Sequence, residues 1–107
     1  MKLSVLTNLF GSMSLEEALT KFEALGIEAV EIGCGGYPGN DHCKPEVLLA
    51  DEKALANFKE TVAKHHMEIC ALAVHGNPVH PDKKIAESFH SDFTDAVLLA
   101  EKIGIDT

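Results

Sequence analysis

Ala24-Leu25-Gly26-Ile27-Glu28 early in the chain and Lys102-Ile103-Gly104-Ile105-Asp106 at its end follow one pattern. In each, an amphipathic stretch runs into a glycine and then into an isoleucine followed by an acid. Gly26 closes a helix and Ile27 opens a strand; Gly104 repeats the step, and the strand it opens extends only to Thr107. Outward from these two points, an apolar strand, a polar glycine-bearing loop and an amphipathic helix succeed one another three times. Parallel neighbours need a crossover helix between them, so this order predicts a parallel sheet.

The units read as follows. Strand one covers Leu3 to Leu6 and reaches toward Leu9. Ser14 and Glu17 form an S-x-x-E capping box that starts helix one. Leu15, Ala18, Leu19, Phe22 and Leu25 then recur at helical spacing. Strand two is short, Ile27 to Ile32, and the irregular stretch Gly33 to Pro45 follows it. Asp51 is the expected N-cap of helix two, with Leu55, Phe58 and Val62 facing the core. Strand three, Glu68 to Val74, is apolar after its first residue and reads as buried on both faces. After the loop from His75 to Asp82, helix three runs from about Lys84 to Ile103. Its inward residues are expected to be Ile85, Phe89, Phe93, Ala96, Val97, Ala100 and Ile103.

Two architectures accept such units, an open doubly wound sheet and a closed barrel. The open sheet normally carries a phosphate fingerprint after its first strand, and Phe10-Gly11-Ser12-Met13-Ser14 has one glycine only. The informative loops follow strands two and three, as expected when every strand end feeds one site. The expected fold class is therefore α/β: the N-terminal portion, about three β/α units, of a (β/α)8 TIM barrel. Residues 1–107 would form a partial domain truncated at the start of strand four. Such a chain should be marginal alone or associate into homo-oligomers, because parallel strands would be left with an open edge.

Composition narrows the function. The 107 residues are 46% hydrophobic, ordinary for a packed fold. A net charge of −8 argues against binding a nucleic-acid backbone, which needs clustered Lys and Arg. Three cysteines without a C-x-x-C imply no disulfide framework, so a reducing, cytoplasmic location is expected. No stretch approaches a membrane span, and no membrane partner is expected.

Chemistry-bearing residues gather after strands two and three. Gly33-Cys34-Gly35 begins a G-x-G, but Pro38 stands where a third glycine would be, so a dinucleotide site is not expected. Glu31 lies one or two residues before the expected end of an otherwise apolar strand. Burying that carboxylate without a partner would be costly, so it must meet a partner or solvent. It reads either as a structural acceptor or as a group that holds substrate. His75-Gly76-Asn77-Pro78 follows strand three directly; an imidazole there can donate to a hydroxyl, bind phosphate when charged or ligate a metal when neutral. A structural hydrogen-bonding role is the competing reading. No H-x-x-x-H or H-E-x-x-H occurs, and Cys34, His42 and Cys43 lack a fourth zinc ligand. Buried thiols and a loop histidine are expected at those positions, and surface groups at His65, His66 and His90.

Val30-Glu31-Ile32-Gly33-Cys34-Gly35-Gly36-Tyr37-Pro38-Gly39, then His42-Cys43, then Val74-His75-Gly76-Asn77-Pro78-Val79-His80-Pro81 resemble the sugar phosphate isomerase/epimerase family of the xylose isomerase-like TIM barrel superfamily. The resemblance implies a divalent-metal enzyme (Mn, Mg, Co or Zn) that moves a proton next to a carbonyl of a sugar, sugar phosphate, inositol-type or keto-sugar substrate. It places the metal ligands and the main acid/base pair on later strands, so no metal and no activity are expected of these residues alone. Glu31, His42, His75 and Asn77 would contact the small-molecule sugar. In the endonuclease branch of the superfamily a His after strand three is a metal ligand, an alternative role for His75. A non-catalytic sugar-binding member of the superfamily and a stand-alone small α/β binding domain are the competing classes.

Overall fold

The computed structural model describes residues 1–107 as an α/β fold built on a three-stranded parallel sheet in the order β1-β2-β3. β1 is Ser4–Leu6, β2 is Ala29–Gly36 and β3 is Glu68–His75. A 3-10 turn, Thr7–Phe10, leaves β1 and leads to α1, Leu15–Ala24. Two helices, α2 (Pro45–Ala50) and α3 (Glu52–Lys64), connect β2 to β3, and α4 (Lys83–Ile103) follows β3.

Local sequence explains most of these boundaries. The capping box forms in full: Ser14 Oγ accepts from the Glu17 N–H and the Glu17 carboxylate accepts from the Ser14 N–H. Asp51 accepts from the N–H groups of Lys53 and Ala54 to start α3, and Asp82 does the same for Lys84 and Ile85 at α4. The two helix exits read from sequence adopt left-handed backbone at their glycines, φ 76° at Gly26 and 79° at Gly104. That conformation costs other L-residues roughly 1–2 kcal/mol, so glycine ends the helix there.

The core lies between the sheet and its helices. Val30, Ile32 and Cys34 of β2 join Ala18, Leu19 and Phe22 of α1, Leu55, Phe58 and Val62 of α3, and Ala96 and Leu99 of α4 in one buried cluster. Because alternate residues of a strand point to opposite faces, the helices all cover the Val30–Ile32 face. Phe22 and Phe10 pack ring to ring, 5.3 Å between centroids.

Several expectations are corrected. β2 does not stop at Ile32 but continues through Gly33–Gly36, and it starts at Ala29. α2, a short helix that the sequence reading did not assign, begins at Pro45, the last residue of the stretch expected to be irregular. β3 is not buried on both faces, because it borders the sheet and only Ala73 is fully buried. On α4, Ala96 is buried and Ile103 packs against the core as expected, but Leu99 joins them there, whereas Ile85, Phe93 and Val97 are exposed. His65 is not a surface group: its ring is wedged between α1 and α3, Nδ1 3.0 Å from the Glu23 carboxylate and Nε2 3.7 Å from that of Glu16. Lys64 pairs with the same Glu16 and, ahead of His65, holds its carboxyl below the usual range. With the folded pKa depressed, the contribution of this exposed pair is present above the usual carboxylate range and lost as pH falls through it.

After Gly104 the chain returns to the sheet, where the Leu72 N–H donates to the Thr107 carbonyl at 3.0 Å on the outer edge of β3. No helix is long and apolar enough to cross a membrane.

The cysteines divide by environment. Cys34 and Cys43 are buried and Cys70 is exposed. Burial pushes the Cys34 thiol up to about 11 and the Cys43 thiol up to about 12, with the Asp92 charge adding at Cys34. At pH 8, iodoacetamide should therefore alkylate Cys70 alone, and Cys34 and Cys43 only after unfolding; mass mapping of a time course checks this. The raised pKa values also give the alkaline limit its sign. Their contribution is complete below the ordinary thiol value of 9.0 and is lost as pH rises from there toward 11 and 12.

Candidate functional site

All three strands run the same way, so their C-terminal ends share one rim of the sheet. The face away from the helices leads up to that rim and carries small residues. Glu31 pairs with Leu6 on one side and Ala71 on the other, opposite in direction to Val30 and Ile32. It therefore stands on the helix-free face, half-buried, level with the last residue of β1. The extension of β2 to Gly36 moves Glu31 away from the strand end where it was expected. His75 ends β3 opposite Gly36, four residues past Ala71. At ~3.3 Å per residue that sets it about 13 Å beyond Glu31 along the strands. Alternation from Ala71 through Ala73 places His75 on the same face, and it is exposed.

The loops over the rim are set by short contacts. Gly36 has φ 64°, and a Cβ there would lie 2.1 Å from the His75 carbonyl oxygen. Only glycine lets the end of β2 approach β3 so closely. The Tyr37 N–H then donates to that carbonyl at 2.7 Å, and Gly39 N–H donates back to Gly36 O to close the turn. From α4, the Asp92 carboxylate accepts from the Gly36 N–H at 2.9 Å. Tyr37 is exposed, and its ring packs against Phe89 of α4, centroids 5.2 Å apart. The same Phe89 fits against Gly76, where a Cβ would meet its ring at 2.2 Å. A cavity of about 360 Å³ opens beside this contact, lined by Val74, Gly76, Pro78, Phe89, His90 and Phe93.

Asn77 follows within the same loop. Its side-chain oxygen accepts from the Val79 N–H at 3.1 Å, which leaves the amide NH2 as a donor. His80 Nδ1 accepts from the Asp82 N–H at 3.0 Å, so that ring helps to fix the N-terminus of α4. His42 is 8% exposed, and its ring Nε2 lies 2.8 Å from the Met13 carbonyl. A carbonyl can only accept, so this nitrogen carries the proton and ties the loop before α2 to the loop before α1.

The structure thus brings His75 and Asn77 to the rim, sets Glu31 lower on the same face, and places His42 beneath the surface between two loops. Tyr37, Phe89 and Asp92 also shape the rim, though sequence reading did not select them for a site. Tyr37 is in the motif that carries the family resemblance. Asp92 gives no local signal, because its partner Gly36 lies 56 residues away. No group of three or more His, Cys, Asp or Glu side chains is gathered so as to hold a metal ion.

No family model matches this sequence. The chain is similar to the uncharacterized protein YfiH of Bacillus subtilis (strain 168), with 33% identity over 106 residues that take in 98% of this chain. The chain spans about a third of the length of that curated relative, 33% of it.

Proposed function

We propose that this chain forms the first three β/α units of a xylose isomerase-like barrel and lines the substrate mouth of a sugar or sugar phosphate isomerase/epimerase. The observation that carries the reading is the division of the sheet. Every helix packs on the Val30–Ile32 face, and the other face, bearing Glu31 among alanines and glycines, leads to a rim with His75 and Asn77. In a barrel that free face turns inward and that rim is the active-site end.

The reaction moves a proton on a carbon next to a carbonyl and builds negative charge on oxygen. A general acid or base must sit within about 2.6–3.2 Å of the proton it moves. One mid-strand carboxylate and one rim imidazole about 13 Å away cannot serve both faces of one carbon. Their roles are to bind and orient. The His75 ring and the Asn77 amide donate to substrate hydroxyls at the rim, and Glu31 accepts from hydroxyls deeper in the mouth. His42 supports them by holding two loops in register. The residues here do not fit a divalent ion by themselves; in this reading its ligands and the acid/base pair belong to later units.

The test is made in a protein that carries this sequence with the remaining units. Glu31→Ala and His75→Ala are each expected to lower kcat/KM by about ten- to a hundredfold, the value of a hydrogen bond to a charged group, roughly 1.5–3 kcal/mol. Metal content, read by elemental analysis, should stay unchanged in both. Stoichiometric loss of metal in His75→Ala would make that residue a ligand and overturn its assignment, and a full-length protein inactive on every sugar and sugar phosphate tried would sink the reading itself.

A further inference from the structure

From the register of the last residues and the cavity beside α4 we infer that the outer edge of β3 docks a fourth parallel strand running on from Thr107, whose third residue is bulky and apolar and fills that cavity. The inference extends the barrel reading above but rests on register and packing alone, so no sugar assay bears on it. Ile103, Gly104 and Ile105 share a surface hollow with Glu68 and Ile69, the first residues of β3. Two residues later the Thr107 carbonyl accepts from the Leu72 N–H. The chain therefore climbs the edge of β3 in β3's own direction.

In a parallel ladder, a carbonyl that accepts from one residue belongs to the residue just before that one's partner. The residue after Thr107 thus stands beside Leu72, and the third stands beside Val74. Partners in register point to the same face. Leu72 and Val74 pack against the core, so the first and third positions face the helices and the second does not. Val74 is itself a wall of the cavity of about 360 Å³, with Phe89 and Phe93 opposite it on α4. Phe93 is 56% exposed, and Val97, one turn further along, is 51% exposed. A large apolar side chain at the third position covers this wall, where a polar one would leave the phenylalanines facing water. The Val74 N–H points outward as that of Leu72 does, and the second residue supplies its acceptor. The relative that matches 98% of this chain is about three times as long, so it has chain enough for such a strand.

The full chain extended after Thr107 by Thr-Thr-Leu-Thr-Thr is compared with the same chain extended by Thr-Leu-Thr-Thr-Thr. The two tails have one composition, but a shift of one residue turns the leucine to the helix-free face. The first tail is expected to slow exchange of the Val74 amide and to favour folding about tenfold, the worth of partly burying a leucine. Its leucine methyls should show nuclear Overhauser contacts to the rings of Phe89 and Phe93. The second tail should do none of this. Phe93→Ala, at an exposed position in the unextended chain, should cancel most of the first tail's gain. Equal behaviour of the two tails, or leucine contacts away from Phe89 and Phe93, overturns the inference. So does a dimer in sedimentation that protects Val74 without any tail, because a second copy would then own the edge. Each of these results leaves the sugar reading to the kcat/KM test above. A docked tail beside a longer protein inactive on sugars would keep this inference and sink that reading.

Discussion

Phe22→Ala is expected to leave the chain largely unfolded at room temperature. Phe22 is 2% exposed at the centre of the cluster that joins α1, β2, α3 and α4, and it also seats Phe10 of the turn after β1. Truncating a buried phenylalanine removes its transfer free energy and leaves a cavity that neighbours only partly fill, together about 3–5 kcal/mol. Domains have about 5–15 kcal/mol in total, and a three-stranded sheet covered on one face belongs near the low end. Urea titration followed by far-UV circular dichroism measures the loss as a fall in midpoint. Phe22→Leu keeps most of the volume and should recover the larger part. A loss of under about 0.5 kcal/mol in Phe22→Ala would mean that the helices do not share one core.

Gly36→Ala carries the second large effect, and it arises from the backbone. A methyl group at this position would lie 2.1 Å from the His75 carbonyl oxygen and 2.8 Å from its carbon, at φ 64°. No side-chain rotation relieves a clash between a Cβ and main-chain atoms. Left-handed strain adds roughly 1–2 kcal/mol to that clash. The end of β2 must then separate from β3, with loss of the Tyr37 N–H bond to His75 and of the Asp92 contact. Hydrogen exchange reads the change directly. The amides of position 36 and Tyr37 should lose protection, while those of Val30 and Ile32 in the core keep theirs. Equal protection in parent and variant would show that the close approach is not needed.

The sequence was legible where the signal is local. Ser14 and Glu17 announce their helix because both capping partners lie within one turn, and Gly26 and Gly104 announce exits because only glycine takes that backbone cheaply. Reading failed where the deciding partner is remote. Gly33–Gly36 looks like a turn by composition, yet β3 supplies the hydrogen-bonding edge that keeps it extended. The apolar run in β3 announces a strand but not which neighbours cover it, so burial on both faces did not follow. On α4, the face expected inward held at Ala96 and Ile103, but apolar residues stand at two adjoining sets of positions, and packing against the core selected Leu99 over Phe93 and Val97. His75 and Asn77 were legible as rim residues because strand three ends clearly. The depth of Glu31, the burial of His42 and the grip of Asp92 depend on loops folding back, which no local pattern encodes.

The single hydrogen bond from Leu72 to Thr107 has a topological consequence. α4 carries the chain back to the starting end of the strands, so Ile105 to Thr107 set out again in the direction of β3. A peptide joined after Thr107 would be guided along that edge toward the end where His75 stands. A peptide joined before Met1 would emerge at the opposite end of the sheet. The two ends of the chain are therefore not equivalent attachment points: a peptide joined after Thr107 would run toward the end of the sheet where His75 stands, whereas one joined before Met1 would start from the opposite end.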